Sequence, residues 1–311
     1  MAPAPDDLPI GPPFDPQTGA PVEVAPGVVR VTAPNNGPYT FTGTNSFIIG
    51  HDRVIVIDPG PQDRRHLKAL LTAIGGRPVE AILLTHTHRD HSGLARALRA
   101  KTKAPIRFAH PHRLFRPASW LERQWLNASC DFNLVPDAEL QDGEMTTVEG
   151  LSLMAIATPG HCENHLAFGL GGTSLLFSGD HVMGWSSTVI APPDGAMGPY
   201  LSSLEKVIVA PYSHYLPAHG GPIPYGRKAA RALLAHRRAR NDEVLAGIAG
   251  GADTAGKLVK RIYQDISVAL RPAAKKTVEA HLDFLAENGE VVAIGSPRGR
   301  HFALAKAKAP V

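Results

Sequence analysis

Four apolar runs in this chain end in histidine or aspartate, and that recurrence limits the possible folds more than any other feature. The first, "PVEAILLTHTHRDHSG", puts His86, His88, Asp90 and His91 within six positions. "LSLMAIATPGH" ends at His161, "TSLLFSGDH" passes through Asp180, and "SHYLPAHGG" reaches His219. Each run is strand-sized, bounded by turn residues and rich in aliphatic side chains. Polar clusters at successive strand ends, with amphipathic helices between strands, predict a β-sandwich with helices outside and a site at one rim of the sheets.

The neighbouring segments fit that plan. "GVVRVTA", "TNSFIIG" and "RVIVID" read as consecutive strands. "RHLKALLTAIGG" reads as a helix with Leu67, Leu70, Leu71 and Ile74 on its apolar side and glycines as a stop. "SGLARALRAKT" reads as the next helix. After residue 225 the texture changes. "RKAARALLAHRRARNDEVLAGIAG", "DTAGKLVKRIYQDI" and "PAAKKTVEAHLDFLAENG" predict three helices. Asp253 or Thr254 would cap the second, and Gly289 would close the third. "EVVAIGSPRGRHFALA" predicts a hairpin, so the tail has the outline of a small winged helix. The expected organisation is a disordered or extended arm over residues 1–21, a main domain over 22–225, and a linker helix with a winged helix over 226–311.

No apolar run approaches the ~18 residues of a membrane span. The proline-rich start, with Asp6, Asp7 and Asp15, lacks the basic and apolar regions of a signal peptide. Cys130 and Cys162 are the only cysteines, which argues against a disulfide framework. These features predict a cytoplasmic protein with no membrane partner. Residues 231–311 hold 14 Lys/Arg against 8 Asp/Glu, a balance of +6 within a net charge of +4. The ordinary reading is a solvated basic surface; the sharper one is a contact surface for an anionic partner.

In extended backbone, side chains at i and i+2 share a face, so His86 and His88 can point at one spot. Asp90 and His91 can approach from the start of the following helix. Two adjacent metal ions suit the cluster, with His86 and His88 on one and Asp90 and His91 on the other. His161, Asp180 and His219 from three further strand ends can complete the two shells. Imidazole and carboxylate donors suit zinc, with manganese and iron as alternatives.

The spacing His86-x-His88-x-Asp90-His91, followed in order by His161, Asp180 and His219, resembles the metallo-β-lactamase-fold hydrolase superfamily over roughly residues 22–225. The resemblance implies an α+β protein, an αββα sandwich with a dinuclear site at one edge. It implies that His86, His88 and His161 hold the first metal, that Asp90, His91 and His219 hold the second, and that Asp180 bridges. Asp58, in "VIVIDPG", matches an aspartate that supports the site from behind the ligands. "APNNGPYTFTGTNSFIIG", "TPGHCENHLAF", "SGDHVMGWSSTVIAPP" and "LLAHRRARNDEVL" resemble the β-lactamase-like protein 2 branch, whose members carry a C-terminal winged helix and include endoribonucleases acting on single-stranded RNA. Cys162, where threonine is common, and the long segment from His110 to Asn133 depart from that branch.

The expected chemistry is hydrolysis by a metal-activated hydroxide, because metal binding can bring a water's pKa to ≈ 7. Asp90 and Asp180 thus double as catalytic and ligand residues. With the hydroxide they leave two divalent ions a net charge of about +1, which favours an anionic or carbonyl substrate. His165 is expected to orient a ligand or substrate, with a structural hydrogen bond as the alternative. His181 should face away, His110 and His112 read as turn residues, and Cys162 reads as an inert thiol. Tyr39, Asn45, Ser187 and Thr188 lie in loops expected to border the substrate. Trp120 and Trp125 read as local core, with a lid or a homodimer contact as the other readings. Ser186 and Ser187 lack the context of a serine nucleophile.

Three functions compete at this level. A metallohydrolase that cuts single-stranded RNA draws on the basic tail and winged helix. A small-molecule thioesterase, lactonase or weak β-lactamase needs only the metal site. An iron-dependent dioxygenase shares similar histidines. A non-catalytic relative should lack a ligand, and none is missing.

Overall fold

The computed structural model describes residues 13–264, 268–295 and 299–305. The first twelve residues of the expected arm and residues 296–298 of the expected hairpin turn lie outside them. β1 (Pro21–Ala25), β2 (Val28–Thr32), β3 (Asn45–Ile49) and β4 (Val54–Ile57) form an antiparallel meander. Helix α1 (Arg64–Ile74) then returns the chain, so β5 (Val79–Leu83) pairs parallel to β4. Helices α2 (Arg89–Ser92) and α3 (Ala95–Thr102) lead to parallel β6 (Ile106–Phe108), and α4 (Trp120–Ser129) leads to parallel β7 (Ala138–Glu139). These seven strands lie in sequence order in one sheet.

The second sheet has the order β12-β11-β10-β9-β8. β8 (Met145–Val148), β9 (Leu151–Ala157), β10 (Leu166–Leu170) and β11 (Leu175–Gly179) are antiparallel neighbours. Helix α5 (Met197–Val209) crosses over to β12 (His214–Pro217), which is parallel to β11. The alternation of side chains sorts the core into layers. Phe47, Ile49, Ile55, Ile57 and Leu83 meet Leu153, Phe168, Leu170 and Phe177 between the sheets. Ile48, Val56 and Ile82 point the other way, onto Leu70, Ile74 and Leu98 of α1 and α3. Ile156, Leu176 and Tyr215 pack outward onto Leu204 and Val207 of α5 and Leu233 of α6 (Gly226–Ala249). The result is the expected αββα sandwich. Strands buried on both faces explain why their sequences are apolar runs rather than alternating ones.

The C-terminal unit adds α7 (Ala255–Ile262), α8 (Arg271–Glu287) and the hairpin β13 (Val291–Ile294) and β14 (His301–Leu304). Thr254 is the cap of α7, accepting from the Lys257 N–H. Val244, Leu258, Val278, Leu282, Val291 and Phe302 form this unit's own core. It is not a free appendage, because Ala280 and Phe284 of α8 join the cluster behind the second sheet. Among the described residues, no helix is long and apolar enough to cross a membrane.

His66 of α1 is fully buried beside the Ser46 hydroxyl (2.9 Å), and burial pulls its pKa down to about 4 from 6.5. As pH falls below 6.5 the unfolded chain takes up a proton that folded His66 refuses until about pH 4. This group's contribution to stability therefore declines across that window and is flat below it, by at most about 3 kcal/mol. Urea unfolding of metal-free wild type and His66→Gln should show a shallower decline between pH 6.5 and 4 in the variant. Parallel curves would contradict this.

Candidate metal centre

β9, β11 and β12 run in the same direction, so their C-terminal ends share one rim. The chain leaves β9 towards His161, β11 directly into Asp180, and β12 towards His219. Across the sandwich, the exit from β5 carries His86 and His88, and the first turn of α2 carries Asp90 and His91. Gly179 makes the turn into Asp180 with φ +53°, and a Cβ there would lie 2.6 Å from the His165 ring nitrogen. Only glycine fits that approach.

The seven side chains converge. His88 Nδ1 lies 3.0 Å from His86 Nε2 and 3.1 Å from His161 Nε2. Asp90 Oδ2 lies 3.4 Å from His91 Nε2 and 3.3 Å from His219 Nε2. Asp180 stands between the groups. Its Oδ1 is 3.3 Å from His219 Nε2 and 3.6 Å from His91 Nε2, while its Oδ2 is 3.6 Å from His161 Nε2. Donor atoms around a tetrahedral zinc ion at ≈ 2.0–2.1 Å are about 3.3 Å apart. The spacing fits that geometry.

The far side of each ring shows which nitrogen is left for a metal. His91 Nδ1 donates to Asp58 Oδ2 (3.0 Å), His161 Nδ1 to the Val189 carbonyl (3.0 Å) and His219 Nδ1 to the Gly43 carbonyl (3.3 Å). His88 is turned over, with Nε2 donating to Asp194 Oδ2 (2.7 Å). The Thr85 hydroxyl donates to Asp58 Oδ2 (2.6 Å) and so accepts from His86 Nδ1 (3.0 Å). In the neutral tautomers that these partners select, the five outer nitrogens carry the proton and the inner five are free to present lone pairs to a metal. His91 Nε2 and Asp180 Oδ1 are buried with no hydrogen-bond partner, although such groups in a folded protein nearly always have one. A bound cation would satisfy both.

Asp58 is buried with φ +49°, a costly conformation for a residue with a Cβ. It places one carboxylate under the whole 85–91 segment, where Oδ1 also accepts from the Thr85 N–H (2.7 Å). His165 sits behind Asp180. Its Nδ1 bonds the Thr158 hydroxyl (2.8 Å), and its Nε2 accepts the Asp180 N–H (3.1 Å). Burial opposes charge on Asp180, yet His219 and His91 hold its carboxyl well below the usual carboxylate range. Burial likewise opposes charge on His219, which Asp180 and Asp90 push up to about 9. A field that draws protons onto buried imidazoles also draws divalent cations.

Several sequence expectations need correction. His112 is not a turn residue. It is buried and links the Thr87 hydroxyl (2.7 Å) to Asp194 Oδ1 (2.9 Å). Trp120 and Trp125 are not core, being 73% and 54% exposed. Of the residues expected to border the substrate, Tyr39 lines the cavity over the site, whereas Asn45, Ser187 and Thr188 do not. The Asn45 amide is spent on the buried Pro217 and Gly220 carbonyls, and the Thr188 hydroxyl on the Asp180 carbonyl. Ser187 lies in the chain just behind the wall formed by Val189 and Ala191. His181 turns into the core against Tyr200, with ring centroids 5.0 Å apart. Burial pushes the Cys162 thiol well above its ordinary range, as an inert thiol requires.

Asp194 was not apparent from the sequence. It follows two prolines in a loop 106 positions from its partner His88, with no motif to link them. His88, His112, Cys130 and Asp194 are also close enough to hold a metal. Protons satisfy that group, since Asp194 accepts from both imidazoles.

Residues 39–219 match the Metallo-beta-lactamase superfamily, and residues 254–300 match the beta-lactamase associated winged helix domain. The chain is 28% identical over 282 residues to a beta-lactamase-like protein 2 homolog of Caenorhabditis elegans, covering 87% of this chain and 88% of the relative. It is 28% identical over 257 residues to an atrochrysone carboxyl ACP thioesterase of Aspergillus fumigatus, covering 77% and 74%. A beta-lactamase domain protein from Burkholderia ambifaria has the same fold, with a TM-score of 0.77 at 24% identity over 94% of this chain and 95% of that one. The superfamily match spans more than half of the chain and includes every residue of the converging cluster, so the chain belongs to the metallo-beta-lactamase superfamily of metal-dependent hydrolases.

Proposed function

We propose that the chain is a dinuclear-metal hydrolase of small carbonyl esters, thioesters with an apolar acyl group foremost. The observation that carries the two-metal reading is Asp180, whose two oxygens face two different groups of donors. His86, His88 and His161 would hold one ion, Asp90, His91 and His219 the other, and Asp180 both. Zinc suits this donor set best; manganese and iron are the alternatives. Bound there, two divalent cations would bring a water's pKa towards ≈ 7 and polarise an ester carbonyl. Asp58, acting directly and through Thr85, fixes the tautomers of His91 and His86. Asp194 fixes that of His88, and His165 holds the backbone of Asp180.

The cavity supports this substrate class. It measures about 390 Å³, within the usual range for a small-molecule site. His88, Asp90, His161 and Asp180 form its polar floor, while Tyr39, Trp125, Ala128, Val189 and Ala191 make up apolar wall. Leu121, Trp125 and Ala128 lie at i, i+4 and i+7 on the solvent side of α4, a stripe with no internal reason to be apolar. A ligand with one polarisable end and one apolar body matches this shape. The Aspergillus fumigatus thioesterase supports the thioester reading.

Single-stranded RNA is the second reading, favoured by the basic balance of residues 231–311. Against it, Glu205, Glu243, Asp253, Glu279 and Asp283 pair with six of those cations, and among the described residues Arg89 is the only lysine or arginine lining the cavity. Two buried free thiols fit a reducing cytoplasm. The exposed Trp120 is the surface that a second copy of the chain would cover in a homodimer.

His88→Ala and Asp180→Ala should each lose bound metal by elemental analysis and lower kcat/KM by roughly 10³-fold. Full activity in either would refute the ligand assignment. Asp194→Asn should weaken metal affinity about 10–100-fold through His88. The loaded wild type should hydrolyse a decanoyl thioester faster than the acetyl one and leave labelled single-stranded RNA intact, with a lactone and nitrocefin run in parallel. Trp125→Ala should raise KM for the decanoyl thioester about tenfold, equivalent to about 1.4 kcal/mol, and leave the acetyl substrate unchanged. Chelator-sensitive RNA cleavage without thioester turnover would favour the second reading.

A further inference from the structure

The loop from Asp180 to Ile190 lies between the metal-centre rim and helix α6 of the C-terminal segment. Val182 and Ile190 pack in one cluster with Ala229, Ala230 and Leu233 of that helix. Into this interface α6 sends Arg237, which is only 2% exposed. Its neighbours Arg238 and Arg240 pair with Glu205 and Glu243, but among the described residues no carboxylate pairs with Arg237. Its Nη2 donates to the Thr188 carbonyl, its Nε has no partner, and its guanidinium lies 5.6 Å from the Tyr200 ring. Burying a cation without a counter-ion is expensive, so the contact it makes needs a reason.

The contact falls on Thr188, the first of two consecutive residues that hold the cluster from behind. The Thr188 hydroxyl donates to the Asp180 carbonyl (2.5 Å), and the next carbonyl, Val189 O, accepts the Nδ1–H of His161 (3.0 Å). Tyr200, under the same guanidinium, donates to the His181 carbonyl (3.0 Å). One buried side chain thus ties the backbone beside both Asp180 and His161 to the C-terminal helix.

We propose that Arg237 is a positioning residue of the metal centre, acting through Thr188 and Val189 to fix the orientation of Asp180 and His161. The proposal rests on the ligand assignment made above. It also gives the C-terminal helix a role at the site that does not depend on nucleic acid.

The test uses the full-length chain, titrated with Zn(II) and, separately, loaded with Co(II) for its visible spectrum. Arg237→Met should weaken metal binding about tenfold or more and shift the cobalt bands. Thr188→Val removes the hydroxyl while keeping shape and should do the same. The double variant should bind no more weakly than Arg237→Met, because both changes break one chain of contacts. Arg237→Lys, which can keep one donor, should recover part of the affinity. Leu233→Ala, a packing change on the same helix, should lower the melting temperature and leave the spectrum and affinity alone. If Arg237→Met does not fold, Thr188→Val decides. Wild-type affinity and spectrum in Arg237→Met and Thr188→Val, with metal lost in Asp180→Ala, would overturn this proposal alone. Wild-type binding by Asp180→Ala would overturn the ligand assignment and this proposal with it.

Discussion

His86 Nε2 and His161 Nε2 lie 3.0 and 3.1 Å from His88 Nδ1, and in the neutral tautomers that their outer partners select none of these three nitrogens carries a proton. Their protons are on the far side of each ring, held by Thr85, Asp194 and the Val189 carbonyl. Lone pairs crowded this way repel unless a cation lies among them. The rest of the site can be read as the means of enforcing that crowding. A left-handed Asp58, a glycine that lets Asp180 pass His165, and a buried Asp194 each bear a local cost, and each acts on the orientation of a cluster residue.

The sandwich supplies the precision. Loops alone would leave these groups mobile; strand ends locked between two apolar layers do not. β9, β11 and β12 are co-directional, so their three exits open on one rim, and β5 brings the histidine-rich segment from the opposite sheet. The C-terminal segment contributes to the same frame. Its helix α6 closes the back of the second sheet, and α8 reaches into that core through Ala280 and Phe284.

Much of this was legible in the sequence, for a physical reason. A metal shell needs particular residue types at strand ends, so the seven clustered residues stand out against apolar runs. Asp58 was legible only through the family resemblance, since an aspartate before Pro-Gly otherwise looks like a turn residue. The groups that orient these residues were not. Asp194 contacts His88 across 106 positions, and an aspartate after two prolines looks like any turn. Thr188 and Asn45 were expected to face substrate, but buried backbone carbonyls claim their side chains. Arg237 and Arg240 were counted in a solvated basic surface, yet both are buried, because helical periodicity does not show which arginines a neighbouring domain will cover. Trp125 reads as core by composition; only the three-dimensional packing shows it standing at the mouth of a cavity.

Anomalous diffraction from crystals of the protein grown with zinc tests the central claim most directly. Two peaks are predicted, one among His86, His88 and His161 and one among Asp90, His91 and His219, with Asp180 touching both. Crystals that bind no zinc at these residues, or that bind one ion with Asp180 turned away, would contradict it.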